Sequence, residues 1–129
     1  PSWGNLTAVD LTTKKIAWQV PMGTVEDSVL HGVRASLPVP LGMPSLSGPI
    51  ATSGSLVFHV GTQDYYIRAY DTMTGKEVWK DRLPVGAQAT PMTYLSPKSG
   101  RQMVVTVAGG ARMTDERGDY IIAYALPKK

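Results

Sequence analysis

Residues 69–79 read AYDTMTGKEVW, and residues 8–18 read AVDLTTKKIAW. Ala, Asp, Thr, Lys and Trp recur at the same offsets, and Trp18 and Trp79 stand 61 residues apart. Before the turn in the later copy, Tyr66, Arg68 and Tyr70 alternate with Tyr65, Ile67 and Ala69, which is the period of a strand. Asp71-Thr72-Met73-Thr74-Gly75-Lys76 then reads as a tight turn. An Asp bonds its own backbone two residues on, and Gly75 admits a positive φ. Val78 and Trp79 open the returning strand. Each copy is therefore a hairpin whose Trp can pack against a neighbouring unit.

A third, partial copy starts at Asp119, where DYIIAYAL aligns with DYYIRAYD from Asp64. It stops before a third Trp. Repeats of this kind signal stacked units, and propeller blades take about 40–50 residues each. The longer spacing needs an insertion, which Val20 to Ser45 supplies; it is rich in Pro and Gly and has no clean period. With blade strands lettered A to D from inside outward, residues 5–10 and 15–19 read as C and D of one blade. Residues 48–52, 55–60, 65–70 and 77–81 read as A to D of the next. Residues 89–95, 102–108 and 119–125 read as A to C of a third. The expected fold is all-β, a partial propeller with one full blade and two incomplete ones. It divides into an outer hairpin (1–19), an insertion loop (20–47), a full blade (48–82) and an incomplete last blade (83–129). No helix is expected unless the insertion holds one.

Composition agrees. Of 129 residues, 43% are hydrophobic and 18% charged, which is globular, and 13 Gly with 10 Pro mean many turns and short strands. The net charge of +3 comes from scattered basic residues, with no basic run interleaved with aromatics, so nucleic acid is not an expected partner. The absence of cysteine removes disulfides, thiolate metal sites and Cys nucleophiles. No apolar run reaches the roughly 18 residues of a membrane helix. A chain starting at Pro1 is expected to be a piece of a longer protein, with any targeting or anchoring segment upstream.

The pattern A-x-D-x-x-T-G-K-x-x-W is the tryptophan-docking motif of PQQ-dependent dehydrogenases (PQQ, pyrroloquinoline quinone). Residues 69–79 match it at every fixed position. Residues 8–18 match except at Lys14, where the motif has Gly; that departure bears on the type of the first turn. PSWGNLTAVDL at Pro1, LGMPSLSGP at Leu41, GTQDYYIRAYD at Gly61, GAQATPMTY at Gly86, VVTVAGG at Val104 and GDYIIAYALPK at Gly118 extend the likeness over nearly the whole chain. The chain resembles the C-terminal propeller of the membrane-bound glucose/quinate/shikimate branch of that family. The resemblance implies an eight-bladed parent on the periplasmic face of the bacterial inner membrane. It implies PQQ and Ca²⁺ near the propeller axis, hydride transfer from an alcohol carbon to the quinone, and ubiquinone as electron acceptor. It also implies that the catalytic base and the metal ligands lie upstream, so no catalytic or metal residue is expected on this chain.

In an up-and-down blade the D-to-A and B-to-C connections share one end, and propeller ligands gather near the axis at one end. Those connections are 20–47, 61–64, 82–88 and 109–118. Asp71 and Gly75 lie at the other end and, with Trp18 and Trp79, read as structural docking residues. Asp64 resembles a family Asp near the quinone, where it would accept a hydrogen bond or orient a cation; turn chemistry alone would make it a cap before strand C. Ala111 stands where glucose-oxidising relatives are expected to carry His. Arg112 beside it offers a planar fork to a carboxylate, or else is a solvated loop residue next to Asp115 and Glu116. His31 and Arg34, in the insertion, either face substrate or lie in a solvated loop. His59 reads as a packed strand residue, and Glu26 with Asp27 lacks the further ligands of a metal site.

Three functions follow. The first is a fragment, inactive alone, of a dehydrogenase that oxidises a small polyol or hydroxy acid, leaning to quinate or shikimate over an aldose such as glucose. The second is a non-catalytic scaffold propeller, disfavoured by the insertion and by PSWGNL and GTQD. The third is a small β domain that binds through an open edge, disfavoured by the truncated repeat. Open strand edges lead to an expectation of self-association in the isolated chain.

Overall fold

The computed structural model describes residues 2–127. Among them are eleven strands and no helix. Strands β1 (Asn5–Asp10) and β2 (Lys15–Pro21) form a hairpin. Strands β3 (Val29–Leu30) and β4 (Val33–Arg34) make a small hairpin inside the insertion, where no element was expected. Strands β5 (Ile50–Ala51), β6 (Leu56–His59), β7 (Tyr66–Asp71) and β8 (Glu77–Arg82) form a four-stranded antiparallel sheet in chain order. Strands β9 (Met92–Leu95), β10 (Gln102–Gly110) and β11 (Arg117–Tyr124) form a third sheet, again in chain order.

The inner strands are shorter than the sequence implied. Pro49 and Pro91 lack the N–H a ladder needs, so β5 and β9 start only after them. The Gly48 amide, just outside β5, bonds the Thr90 hydroxyl instead.

The two Trp-bearing hairpins are built alike. Ala8 pairs with Trp18 and Ala69 with Trp79, and each ladder slips by a bulge at the next residue. Asp10 Oδ1 accepts the Thr12 amide at 2.8 Å, as Asp71 Oδ1 accepts the Met73 amide at 3.0 Å. The Thr13 and Thr74 hydroxyls donate to the same two carboxylates, and these bonds, with the amides, hold both carboxyls below their usual range. Lys14 has φ 57° and Gly75 φ 71°. The first turn therefore has the same left-handed form as the second, and Lys14 bears the strain that Gly75 avoids.

The sheets stack through two apolar clusters. Leu6 and Met22 meet Tyr70, with Trp18, Val20 and Val57 around them. On the other side of the central sheet Val60 and Ile67 meet Leu83, Val85, Ala87, Val104 and Ala108. Strand β7 is covered on both faces, which is why its alternation puts Tyr70 toward one neighbour and Ile67 toward the other. Ile67 and Val60 have no exposed surface, and each such side chain contributes on the order of 2 kcal/mol by leaving water. Trp18 crosses to the central sheet, where its Nε1 donates to the Thr72 carbonyl at 2.9 Å. Trp79 packs edge-on against Tyr124 of the third sheet, with ring centroids 5.2 Å apart. A groove of about 740 Å³ runs beside it, lined by Phe58, Trp79, Val104, Tyr124 and Leu126.

Candidate functional site

At one end of the sheets the insertion meets the loops that follow β6, β8 and β10. They are cross-linked by backbone bonds: Leu83 N–H to the Tyr65 carbonyl (2.6 Å), Gly110 N–H to Gly86 (2.8 Å) and Val29 N–H to Met113 (2.6 Å). Glycine permits the closest approaches. A methyl built on Gly86 would lie 2.4 Å from the Ala111 Cβ, and one on Gly61 would lie 2.6 Å from the Ser47 hydroxyl. The Asp71–Gly75 turn lies at the far end, as its spacing predicted.

Asp64 is 1% exposed and its carboxylate is fully engaged. Arg68 grips it from both terminal nitrogens, at 2.8 and 2.7 Å. The Thr62 hydroxyl donates at 2.7 Å, and the Thr24 amide and hydroxyl donate at 2.7 and 3.0 Å. Burial would raise this carboxyl, but the bonds and charge of Arg68, with Thr62 and Thr24, outweigh it and hold the group below its usual range. The Arg68 Nε donates to Glu77 at 3.1 Å. Asp64 thus orients a cation, Arg68.

Asp27 is buried as well, at 1% exposure. Its Oδ2 accepts the Tyr65 amide at 3.1 Å, and its Oδ1 accepts Arg82 at 2.6 Å and Arg34 at 3.4 Å. Asp27 and Asp64 thus each reach across to the other's loop. The same Arg34 pairs with Glu116, which also accepts the Tyr65 hydroxyl. Arg34 is consequently committed to Asp27 and Glu116. His31 is exposed at the tip of the β3–β4 hairpin with φ 49°.

Ala111 is buried, and Arg112 is exposed beside it. Arg112 lines a cavity of about 380 Å³ with Leu46, Gln88, Gly109, Gly110 and Arg117. Arg117 donates to the carbonyls of Thr114 and Glu116, and Arg34 and Arg82 pair with carboxylates. Arg112 makes no hydrogen bond or ion pair among the described residues.

Residues 1–104 match the family described as PQQ glucose/ethanol/alcohol dehydrogenase, β-propeller domain. The chain belongs to that family. It is 59% identical over 98% of its length to a protein of Xanthomonas campestris pv. juglandis named probable quinate dehydrogenase (quinone). It is 52% identical over 98% to the quinoprotein glucose dehydrogenase of Gluconobacter oxydans. The chain spans about a sixth of the length of these curated relatives, 16% in each case. The solved quinohemoprotein alcohol dehydrogenase of Comamonas testosteroni superposes with TM-score 0.62 at 24% identity, covering 97% of this chain and 18% of that one. The stacked sheets are thus part of a quinoprotein β-propeller, as their Trp-bearing hairpins indicated.

As a piece of a quinoprotein propeller, the chain holds no group of three or more His, Asp or Glu able to bind a metal among the described residues. Its buried carboxylates Asp27 and Asp64 are spent on arginines, so a metal does not fit here. His59, 1% exposed, faces Ser45 Oγ at 3.0 Å and Ser47 Oγ at 3.5 Å through Nε2. Its Nδ1 has no partner, and burial lowers its pKa to about 4. It is a packed, neutral strand residue, as the sequence implied. Sequence reasoning passed over Arg68, Asp27, Arg82, Tyr65 and Glu116 as site residues. Only Arg68 left a signal: four residues beyond Asp64 on a strand, it shares that residue's face.

Proposed function

We propose that the protein containing this chain is an eight-bladed PQQ-dependent dehydrogenase that oxidises a small hydroxy acid of the quinate or shikimate type. The units 1–19, 20–47, 48–82 and 83–129 are then an outer hairpin, an insertion, a full blade and an incomplete last blade. The observation that carries the substrate reading is Arg112, an uncommitted guanidinium on a cavity rim next to Ala111. Its planar fork suits a carboxylate, which an aldose lacks. The relatives named for quinate and for glucose are close in identity, so the site chemistry favours one over the other more than overall likeness does.

PQQ is a planar quinone bearing carboxylates, and when bound it supplies the two-electron oxidant. This chain fits the rim of such a site: Gly109-Gly110 offers a backbone surface free of side chains. Asp64, being saturated, serves by fixing the Gly61–Asp64 loop at the cofactor. Ca²⁺ and the base that takes the alcohol proton belong to upstream residues. His31 stands on the insertion tip above this end, and Arg34 anchors that insertion. The reading includes ubiquinone as electron acceptor and the periplasmic face of the inner membrane as location. No helix among the described residues is long and apolar enough to cross a membrane.

A substrate panel on the full-length protein loaded with PQQ and Ca²⁺ tests this. Turnover of quinate with little of glucose is expected; turnover of glucose without quinate overturns the reading.

The isolated chain is inferred to be inactive and to self-associate. Strand β11 has a free outer edge with Ile121 76% exposed, and open edges recruit strands. Sedimentation of the isolated chain should give dimers or larger species; a monomer at all concentrations would refute this.

A further inference from the structure

Four residues close a polar ring at the loop end. Asp27 Oδ1 accepts from Arg34, Arg34 also pairs with Glu116, Glu116 accepts the Tyr65 hydroxyl, and the Tyr65 amide returns to Asp27 Oδ2. Three separate segments meet in it: the insertion, the loop before β7 and the loop before β11. Tyr65 and Asp27 are buried at 3% and 1% exposure, so one side of the ring is fixed in the interior. Glu116 hangs on that fixed side from the opposite loop.

The segment it holds is the one that carries Arg112. On the N-terminal side, Gly110 N–H bonds Gly86, and Ala111 is buried against the same glycine. On the C-terminal side, the Met113 carbonyl takes the Val29 amide at 2.6 Å, and Glu116 closes the ring. Arg112 therefore stands between two anchored points, with its backbone restrained and its guanidinium uncommitted. Such an arrangement aims a cation at a ligand without offering it an internal carboxylate. Glu116, the nearest acid by sequence to be firmly placed, is occupied by Arg34 and Tyr65.

We propose that Glu116 and Tyr65 are positioning residues for substrate selectivity, which hold Arg112 aimed at the carboxylate of a hydroxy-acid substrate. The Glu116 carboxylate has two tasks in this role. It keeps the loop closed onto the insertion, and it remains too engaged to pair with Arg112 itself. The inference rests on the hydroxy-acid reading and deepens it.

The test is a double-mutant cycle in the full-length enzyme loaded with PQQ and Ca²⁺, using Glu116→Gln, Tyr65→Phe and Arg112→Ala. Glu116→Gln should raise KM for quinate about tenfold while kcat changes less than about twofold. Tyr65→Phe, which deletes one hydroxyl and is the milder variant, should act in the same direction. Turnover of a neutral polyol should stay within about twofold in both. In an Arg112→Ala background, Glu116→Gln should have no further effect on KM, because the residue through which it acts is gone. Hydrogen exchange of the 111–116 amides, read without substrate, should quicken in both single variants. Additive effects of Glu116→Gln and Arg112→Ala, or an unchanged KM with unchanged exchange, overturn the positioning role while leaving the hydroxy-acid reading intact. A wild-type enzyme that turns over neutral polyols but no hydroxy acid overturns that reading and the inference with it.

Discussion

The indole of Trp18 lies so close over Gly75 that a methyl built on that glycine would meet the ring at 2.5 Å. The same glycine has φ 71°, a conformation that costs other residues roughly 1–2 kcal/mol. Two independent demands therefore fall on one position. Lys14 holds the equivalent turn at φ 57° with a full side chain, which shows that the turn by itself tolerates a Cβ. What excludes a side chain at Gly75 is the docked tryptophan of the neighbouring sheet.

Gly75→Ala should accordingly destabilise the full-length protein by more than the backbone penalty of about 1–2 kcal/mol, because Trp18 must also move. Lys14→Gly should be neutral or stabilising by up to about 1 kcal/mol, since it relieves strain at some entropic cost. Thermal midpoints of the two variants measured side by side decide this. Equal losses would mean that the docking contact contributes nothing.

Asp64 and Arg68 form a buried, two-pronged ion pair with 1% and 3% exposure. Asp64→Asn leaves Arg68 without a counter-charge in the interior and should cost about 3–5 kcal/mol. The sign of the pH dependence follows from the lowered carboxyl. The unfolded chain takes up its proton first, so the pair's contribution is complete above the ordinary carboxylate range. It is then lost as pH falls through the lower folded value. The stability gap between wild type and Asp64→Asn should therefore be full near neutral pH and narrow as pH falls through that range, read from denaturant unfolding followed by circular dichroism.

The outer hairpins and their turns were legible in the sequence because their chemistry is local. Asp10 and Asp71 cap turns within three residues, and a strand period needs only neighbours. Lys14 hid the likeness of the first turn, since a lysine in left-handed conformation has no signature in sequence. Asp64 was legible as a residue, and the alternation put Arg68 on its face four residues on, but a shared face does not say that the two are buried and paired. The ring of Asp27, Arg34, Tyr65 and Glu116 joins positions up to 89 apart in the chain. Only the stacking of sheets brings them together, and no local pattern reports that. Pro49 and Pro91 were visible from the start, and each shortened the strand drawn across it for the reason that proline always does.

His59 is the second acid-sensitive element. Its pKa falls from 6.5 to about 4 because burial disfavours the imidazolium. The folded value lies below the unfolded one, so on acidification the unfolded chain is protonated first. Stability is full above pH 6.5, declines between 6.5 and about 4, and is flat below. The total is about 3 kcal/mol. His59→Gln should remove this part of the decline, whatever it does to stability at neutral pH. Thermal midpoints of variant and wild type at about pH 7.5 and about pH 4.5 give the comparison, since most of that decline falls between these limits. Equal declines in the two proteins would mean that the folded state does not lower the pKa of His59.

Arg112 differs from its neighbours in what removing it should do. Arg34, Arg82 and Arg117 hold structure, so their loss should lower stability. Arg112 is exposed and has no partner among the described residues, so Arg112→Ala should leave the thermal midpoint of the full-length protein unchanged. Its effect should appear with substrate instead. A charge-assisted bond to a carboxylate contributes about 1.5–3 kcal/mol, which corresponds to a fall in kcat/KM for quinate of roughly 10- to 150-fold. Arg112→Lys keeps the charge but not the fork and should recover only part of that. Kinetics with quinate and with a neutral polyol separate the two roles. An equal loss on both substrates would make Arg112 a support of the site, and no loss on either would make it a bystander on the rim.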